Sequence, residues 1–165
     1  MKITGIDLKG KGGLKMETLD EQRKRKTHSE LINITCEFFR RRAWACLTEV
    51  TVWNHNVIPD IISVKRNYLR KSISIFEIKI SRADFLSDVR KQKYLKSMPF
   101  ASKFYYVCPW DLIQPEEVPD GIGLYYVEDK YTGVCVKSAK AKKVILSENV
   151  LWSMILSFEK NLQRY

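Results

Sequence analysis

Histidine is almost missing from this chain, whose 165 residues include only His28 and His55. The four cysteines, Cys36, Cys46, Cys108 and Cys135, are far apart and form no CxxC pair, so a zinc site has no ligand set. Three of them lie in apolar stretches, where a free cysteine packs as a small hydrophobe and suits a reducing cytosol. There is no run of about 18 apolar residues and no apolar signal-peptide core at the N-terminus, which predicts a soluble, cytoplasmic protein without a membrane partner. Glycine is scarce, and Gly10-Lys11-Gly12-Gly13 lacks the GxxxxGK[ST] spacing of a phosphate loop. An RNP-type aromatic motif and a GXXG loop are absent, which weakens an RNA-binding reading. There is no internal repeat.

What is present points to one compact domain with a polyanionic partner. A 45% hydrophobic and 12% aromatic composition supplies a core, and the length fits one domain. Lys and Arg number 29 against 19 Asp and Glu, a formal charge of +10. A surplus of that size draws in polyanions, and nucleic acid is the common one in a cell. Residues 1–26 differ from the rest: a glycine-rich stretch and the charged run Glu21 to Lys26 predict a flexible basic arm ahead of a single domain at 27–165.

Thr27-x-x-Glu30 has the form of a capping box and opens a helix that ends near Arg40-Arg41-Arg42, where positive charge suits the helix dipole. Ala45 to Trp53 reads as a strand, as do Asp60 to Lys65, Ser72 to Ile80 and Lys103 to Cys108. A second helix is expected from Ser81 to about Ser97, stopped by Pro99. A hairpin of Ile122–Val127 and Gly133–Ser138 follows. Ser147 then caps a last helix to about Gln163, with Leu151, Ile155, Phe158 and Leu162 along one side. The order is α/β: an αβββαβ core with a mixed central sheet, plus a C-terminal hairpin and helix.

If the central hairpin turns between Tyr68 and Leu69, Val64 faces Ile73, Ile62 faces Ile75 and Asp60 faces Glu77. Directly opposed residues have Cβ atoms about 4.5–5.5 Å apart. Lys79 then emerges on the face of Glu77. Two neighbouring carboxylates repel unless a cation lies between them, and Mg²⁺ or Mn²⁺ accepts oxygen ligands of this kind. The Ile78 carbonyl is an additional candidate ligand. A metal held there would polarise a phosphodiester and activate water, with Lys79 holding that water or stabilising charge. A plain salt bridge of Lys79 with Glu77 or Asp60 is the competing explanation. Against it, Glu77 and Lys79 interrupt a β-branched strand in which unpaired charge is costly.

Pro59-Asp60 followed by Glu77-Ile78-Lys79, in this element order, resembles the PD-(D/E)xK nuclease superfamily. More narrowly, the block from Glu77 to Asp88, Tyr94, Lys103 to Pro109 and Leu47-Thr48-Glu49-Val50 resemble the MmcB-like DNA-repair family. This chain has Ile58-Pro59-Asp60 where that family often shows Arg-Ala-Asp, and Arg90-Lys91 where it shows Lys-Trp. The resemblance covers roughly residues 30–130 and implies a restriction-endonuclease-like fold. It further implies a divalent metal at Asp60 and Glu77 and a catalytic Lys79.

An extra acidic residue from the first helix is usual in the superfamily, which nominates Glu30; its alternative role is to close the cap with Thr27. Glu49 is a second candidate, against an ordinary surface position. Asp84 and Asp88 either orient the site or pair with Arg82 and Lys91, and the pairing is favoured. Arg82, Arg90, Lys91 and Lys93 are candidates for phosphate contacts, against a solvated helix face. Trp110 and Tyr105 are left to the core or its rim. The expected function is a metal-dependent DNA nuclease in DNA repair or processing, with a homodimer or a targeting partner protein left open. The alternative is a DNA-binding module that has the fold and does not cut.

Overall fold

The computed structural model describes residues 26–52, 56–65 and 72–162, with side chains to residue 159. The expected arm lies outside the described residues apart from Lys26, which bonds the carbonyl of Glu128. Helix α1 (His28–Arg40) begins with the expected capping box. The Thr27 hydroxyl accepts from the Glu30 N–H at 3.2 Å, and the Glu30 carboxylate accepts from the Thr27 N–H at 2.7 Å.

Strands β1 (Trp44–Thr48), β2 (Ile61–Lys65) and β3 (Ile73–Ile78) form an antiparallel meander. Helix α2 (Arg82–Arg90) carries the chain to β4 (Lys103–Cys108), parallel to β3. Strand β5 (Gly123–Val127) is parallel to β4, and β6 (Gly133–Lys137) returns antiparallel. Helix α3 (Glu148–Leu162) closes the described chain. The result is one six-stranded mixed sheet in the order β1-β2-β3-β4-β5-β6, an α/β architecture with the expected αβββαβ core.

The central strands of the sheet are buried on both faces. Against α1 it presents Ile61, Phe76, Ile78, Tyr105 and Val107 to Leu31, Cys36, Phe38 and Phe39. The Phe39 and Phe76 rings stack with centroids 4.2 Å apart. Each fully buried side chain of this size contributes about 1.5–3 kcal/mol. On the opposite face, Ile62, Ile75, Phe104, Tyr106 and Leu124 pack with Phe85 of α2. Among the described residues no helix is long and apolar enough to cross a membrane.

Two expected elements differ. Strand β1 stops at Thr48 instead of reaching Trp53, because Glu49 turns the chain with a φ of 51°. The second helix ends at Arg90, not Ser97: Gln92 has a φ of 51°, and the chain continues as short 3₁₀ turns at Lys93–Lys96 and Met98–Phe100. In α3 the buried positions are Val150 and Ser153, while Leu151, Ile155 and Phe158 are about half exposed. As expected, Leu151, Ile155 and Phe158 share one side of this helix, lining a groove with Leu47, Ile62 and Val64.

Candidate metal and catalytic site

The β2–β3 register agrees with the expectation residue for residue, pairing Ile62 with Ile75 and Val64 with Ile73. The expected turn at Tyr68 and Leu69 lies outside the described residues. One position beyond the last ladder pair, Asp60 does not simply face Glu77. Its Oδ2 accepts from the Ile78 N–H at 2.7 Å, so a side-chain bond ties the start of β2 to the end of β3. The same oxygen lies 3.2 Å from Nε2 of His28, at the start of α1. Helix, β2 and β3 thus converge on one carboxylate.

Glu77 and Lys79 lie on the α2 face of the sheet. Lys79 continues β3 by donating its N–H to the Val107 carbonyl at 2.8 Å. Its ammonium group is enclosed by three carboxylates: Asp88 Oδ2 at 3.1 Å, Glu77 Oε1 at 3.4 Å and Asp84 Oδ2 at 3.4 Å. The Lys79 side chain is 5% exposed and that of Asp88 1%. The favoured pairing of Asp84 and Asp88 with Arg82 and Lys91 is therefore corrected. One helical turn apart, both acids face the strand end beneath α2, where Lys79 needs counter-charge. The Tyr106 hydroxyl is buried beside Asp88.

Burial sets the electrostatics. It raises the Asp60 carboxyl above the usual range, opposed by the Ile78 N–H and the positive potential of His28 and Lys79. Burial and then the Asp60 charge push Glu77 up to about 7, with Lys79 opposing. For Lys79, burial would lower the pKa, but Glu77, Asp88 and Asp84 outweigh it and raise it. Burial and their mutual repulsion thus disfavour ionising both carboxylates at once.

The donor set fits a hard cation that retains water. Asp60, Glu77 and the Ile78 carbonyl are oxygen donors of the type Mg²⁺ and Mn²⁺ prefer. Among the described residues no group of three His, Cys, Asp or Glu side chains is placed to hold a metal ion.

No protein-family model and no curated protein matches the chain. Among solved structures it is similar to the SPO1766 protein of unknown function from Silicibacter pomeroyi, with a TM-score of 0.67 at 19% identity. The match covers 84% of this chain and 90% of that one. At that identity the likeness is one of fold alone.

The remaining candidates separate. Glu30 is exposed and its carboxylate is occupied at the cap, which also lowers its pKa through the Thr27 N–H. Its observed contacts are those of the cap that closes the start of α1. Replacing Glu30 by alanine is expected to loosen the start of α1, read as a small fall in the denaturant midpoint, and to leave any cleavage rate within twofold of wild type. Glu49 does reach the margin of the site through its backbone: its N–H donates to the Asp60 carbonyl at 3.2 Å, and its side chain is exposed. Arg82 is engaged by Glu117, with Nη1 2.7 Å from Oε2 and a second contact from Nη2 to Oε1. That bidentate pair anchors the loop before β5 and occupies the guanidinium proposed for phosphate. Arg90 and Lys91 are exposed at the C-terminal end of α2.

Only Lys93 of that basic group lines the cavity of about 390 Å³ that opens beside Glu77 and Asp88. Lys96 lines it too and was missed, as was His28. Both carried a weak signal: Lys96 lies three residues after Lys93, and His28 directly follows the cap residue Thr27.

Proposed function

We propose that the chain is a divalent-metal-dependent DNA nuclease that hydrolyses phosphodiester bonds, in DNA repair or processing. The observation that carries this reading is that Asp60 is bonded to the Ile78 N–H, next in the chain to Glu77, with Lys79 paired to Glu77 on the same strand end. Asp60, Glu77 and the Ile78 carbonyl would hold Mg²⁺ or Mn²⁺. When bound, such an ion supplies a Lewis acid for a phosphodiester oxygen and lowers the pKa of water.

The protein's own residues have separate tasks. His28 and the Ile78 N–H fix Asp60 through its Oδ2. Lys79 orients Glu77, and its positive charge would stabilise the negative charge that a phosphate oxygen gathers in the transition state. Asp84 and Asp88 hold that ammonium in place. The chain's surplus of positive charge supplies non-specific attraction to the DNA backbone.

The test is cleavage of single-stranded, duplex and branched DNA with Mg²⁺ or Mn²⁺, beside an EDTA control. Metal-dependent cleavage that EDTA abolishes is the expected result. Binding without cleavage under every metal condition overturns the enzyme in favour of a DNA-binding module.

A further inference from the structure

We infer that the cavity beside Glu77 receives one unpaired nucleotide, which makes the preferred substrate DNA with a single-stranded or extruded nucleotide next to the cleaved phosphate. The inference rests on the nuclease reading above and deepens it by naming the substrate class.

Size is the first argument. A volume of about 390 Å³ lies near the lower end of the range of roughly 300–1,000 Å³ for small-ligand pockets. That is room for one nucleotide and too little for a stacked base pair, so the base must leave its helix to enter.

The lining is the second. Ile58 and Tyr94 supply an apolar and aromatic wall, and the Tyr94 ring lies 6.3 Å from that of Phe104 behind it. Ile58 is 59% exposed although large and apolar, two residues before Asp60. Base faces pack on such surfaces whatever the sequence. Lys93 and Lys96 line the same cavity. They are three residues apart on a 3₁₀ turn, where positions i and i+3 eclipse, so both ammonium groups serve one side. Two cations beside an apolar wall match a base flanked by phosphates. Glu77 and Asp88 line the same cavity, so a base held in it lies beside the candidate reaction centre.

Chain direction is the third. Gln92, just after the α2 C-cap Lys91, adopts the left-handed φ of 51° that commonly ends a helix, and the chain leaves the helix axis so that Lys93 and Lys96 follow on a 3₁₀ turn.

The test compares three labelled duplexes by fluorescence anisotropy with Ca²⁺ in place of Mg²⁺: fully paired, with one bulged adenosine, and with an abasic residue at the bulge. The bulged adenosine is expected to bind at least about tenfold tighter than the paired duplex, and the abasic bulge to lose most of that gain. Ile58→Ser and Tyr94→Leu should each weaken the bulged duplex about fivefold or more and leave the paired one unchanged. Ile58 is exposed, so its variant reports on the cavity even if Tyr94→Leu disturbs packing on Phe104. Lys93→Ala and Lys96→Ala should each lower the slope of log affinity against log salt by about one. Equal affinity for all three duplexes, or a gain that survives loss of the base, overturns the proposal. Parallel digestion with Mg²⁺ separates the two readings. Equal cleavage of paired and bulged DNA without a binding preference removes the cavity assignment and keeps the nuclease. A base-dependent preference without any cleavage does the reverse.

Discussion

Replacing Asp60 by asparagine is expected to lower Mg²⁺-dependent cleavage at least a thousandfold while the protein stays folded and still binds DNA. The side chain does two jobs that this substitution separates. As an acceptor for the Ile78 N–H it joins β2 to β3, and the asparagine carbonyl can keep that bond. As a charge it makes half of the carboxylate pair with Glu77, and the amide cannot. Asp60→Ala loses both, so it should add a stability cost of about 1–3 kcal/mol for the stranded N–H. Gel cleavage assays and urea unfolding read the two effects independently. An Asp60→Asn protein that cuts within tenfold of wild type would remove Asp60 from the reaction.

The same pair makes a linkage prediction in the absence of DNA. Glu77 is raised from 4.5 to about 7 in the fold, mainly by burial and then by Asp60. The folded protein holds that proton more tightly than the unfolded chain does. Its contribution to stability is therefore complete below about pH 4.5 and lost as pH rises through 7. At pH 8 the ionised pair is a liability that a bound cation relieves. Adding Mg²⁺ at pH 8 should raise Tm by about 5 °C if the ion is in large excess over its Kd. Glu77→Gln should be the more stable protein at pH 8 without metal and should gain little from Mg²⁺. A wild-type Tm that ignores Mg²⁺ and Mn²⁺ across pH 6–8 would count against the metal site without any assay of cleavage.

How much of this was legible in the sequence depends on whether local chemistry or tertiary packing decided each feature. The start of α1 was legible because Thr27 and Glu30 satisfy each other's backbone groups within one turn. The β2–β3 register followed from placing the turn between Tyr68 and Leu69, which pairs Ile62 with Ile75 and Val64 with Ile73; with Ile61 and Phe76 buried on the other face, hydrophobic alternation alone did not fix it. The ends of β1 and α2 were not legible. Glu49 and Gln92 adopt left-handed φ values without being glycine or asparagine, so nothing in their identity announces the turn. Charge pairing on α2 was misread for a related reason. Helical spacing counts partners on the same helix, whereas Asp88 turned inward to a lysine on a strand. His28 was passed over because a lone histidine has no meaning until the fold brings it within 3.2 Å of Asp60.

Lys79→Met is expected to be the most destabilising single change at the site. Removing the ammonium leaves Asp88, 1% exposed, without its charged partner, and withdraws support from Glu77 and Asp84. Breaking one side of a buried pair costs about 3–5 kcal/mol, far more than the pair contributes in net terms. For a chain of this length that is a fall in Tm of about 10 °C. Loss of activity in this variant would therefore be ambiguous alone. The double variant Lys79→Met, Asp88→Asn resolves it, because a neutral amide tolerates burial beside methionine. The double variant should recover at least half of the lost stability and still cleave at least a hundredfold more slowly than wild type. Recovery of both stability and rate would assign Lys79 a structural role only. Recovery of stability without rate would place its charge at the transition state, with Asp84 and Asp88 as the residues that hold it there.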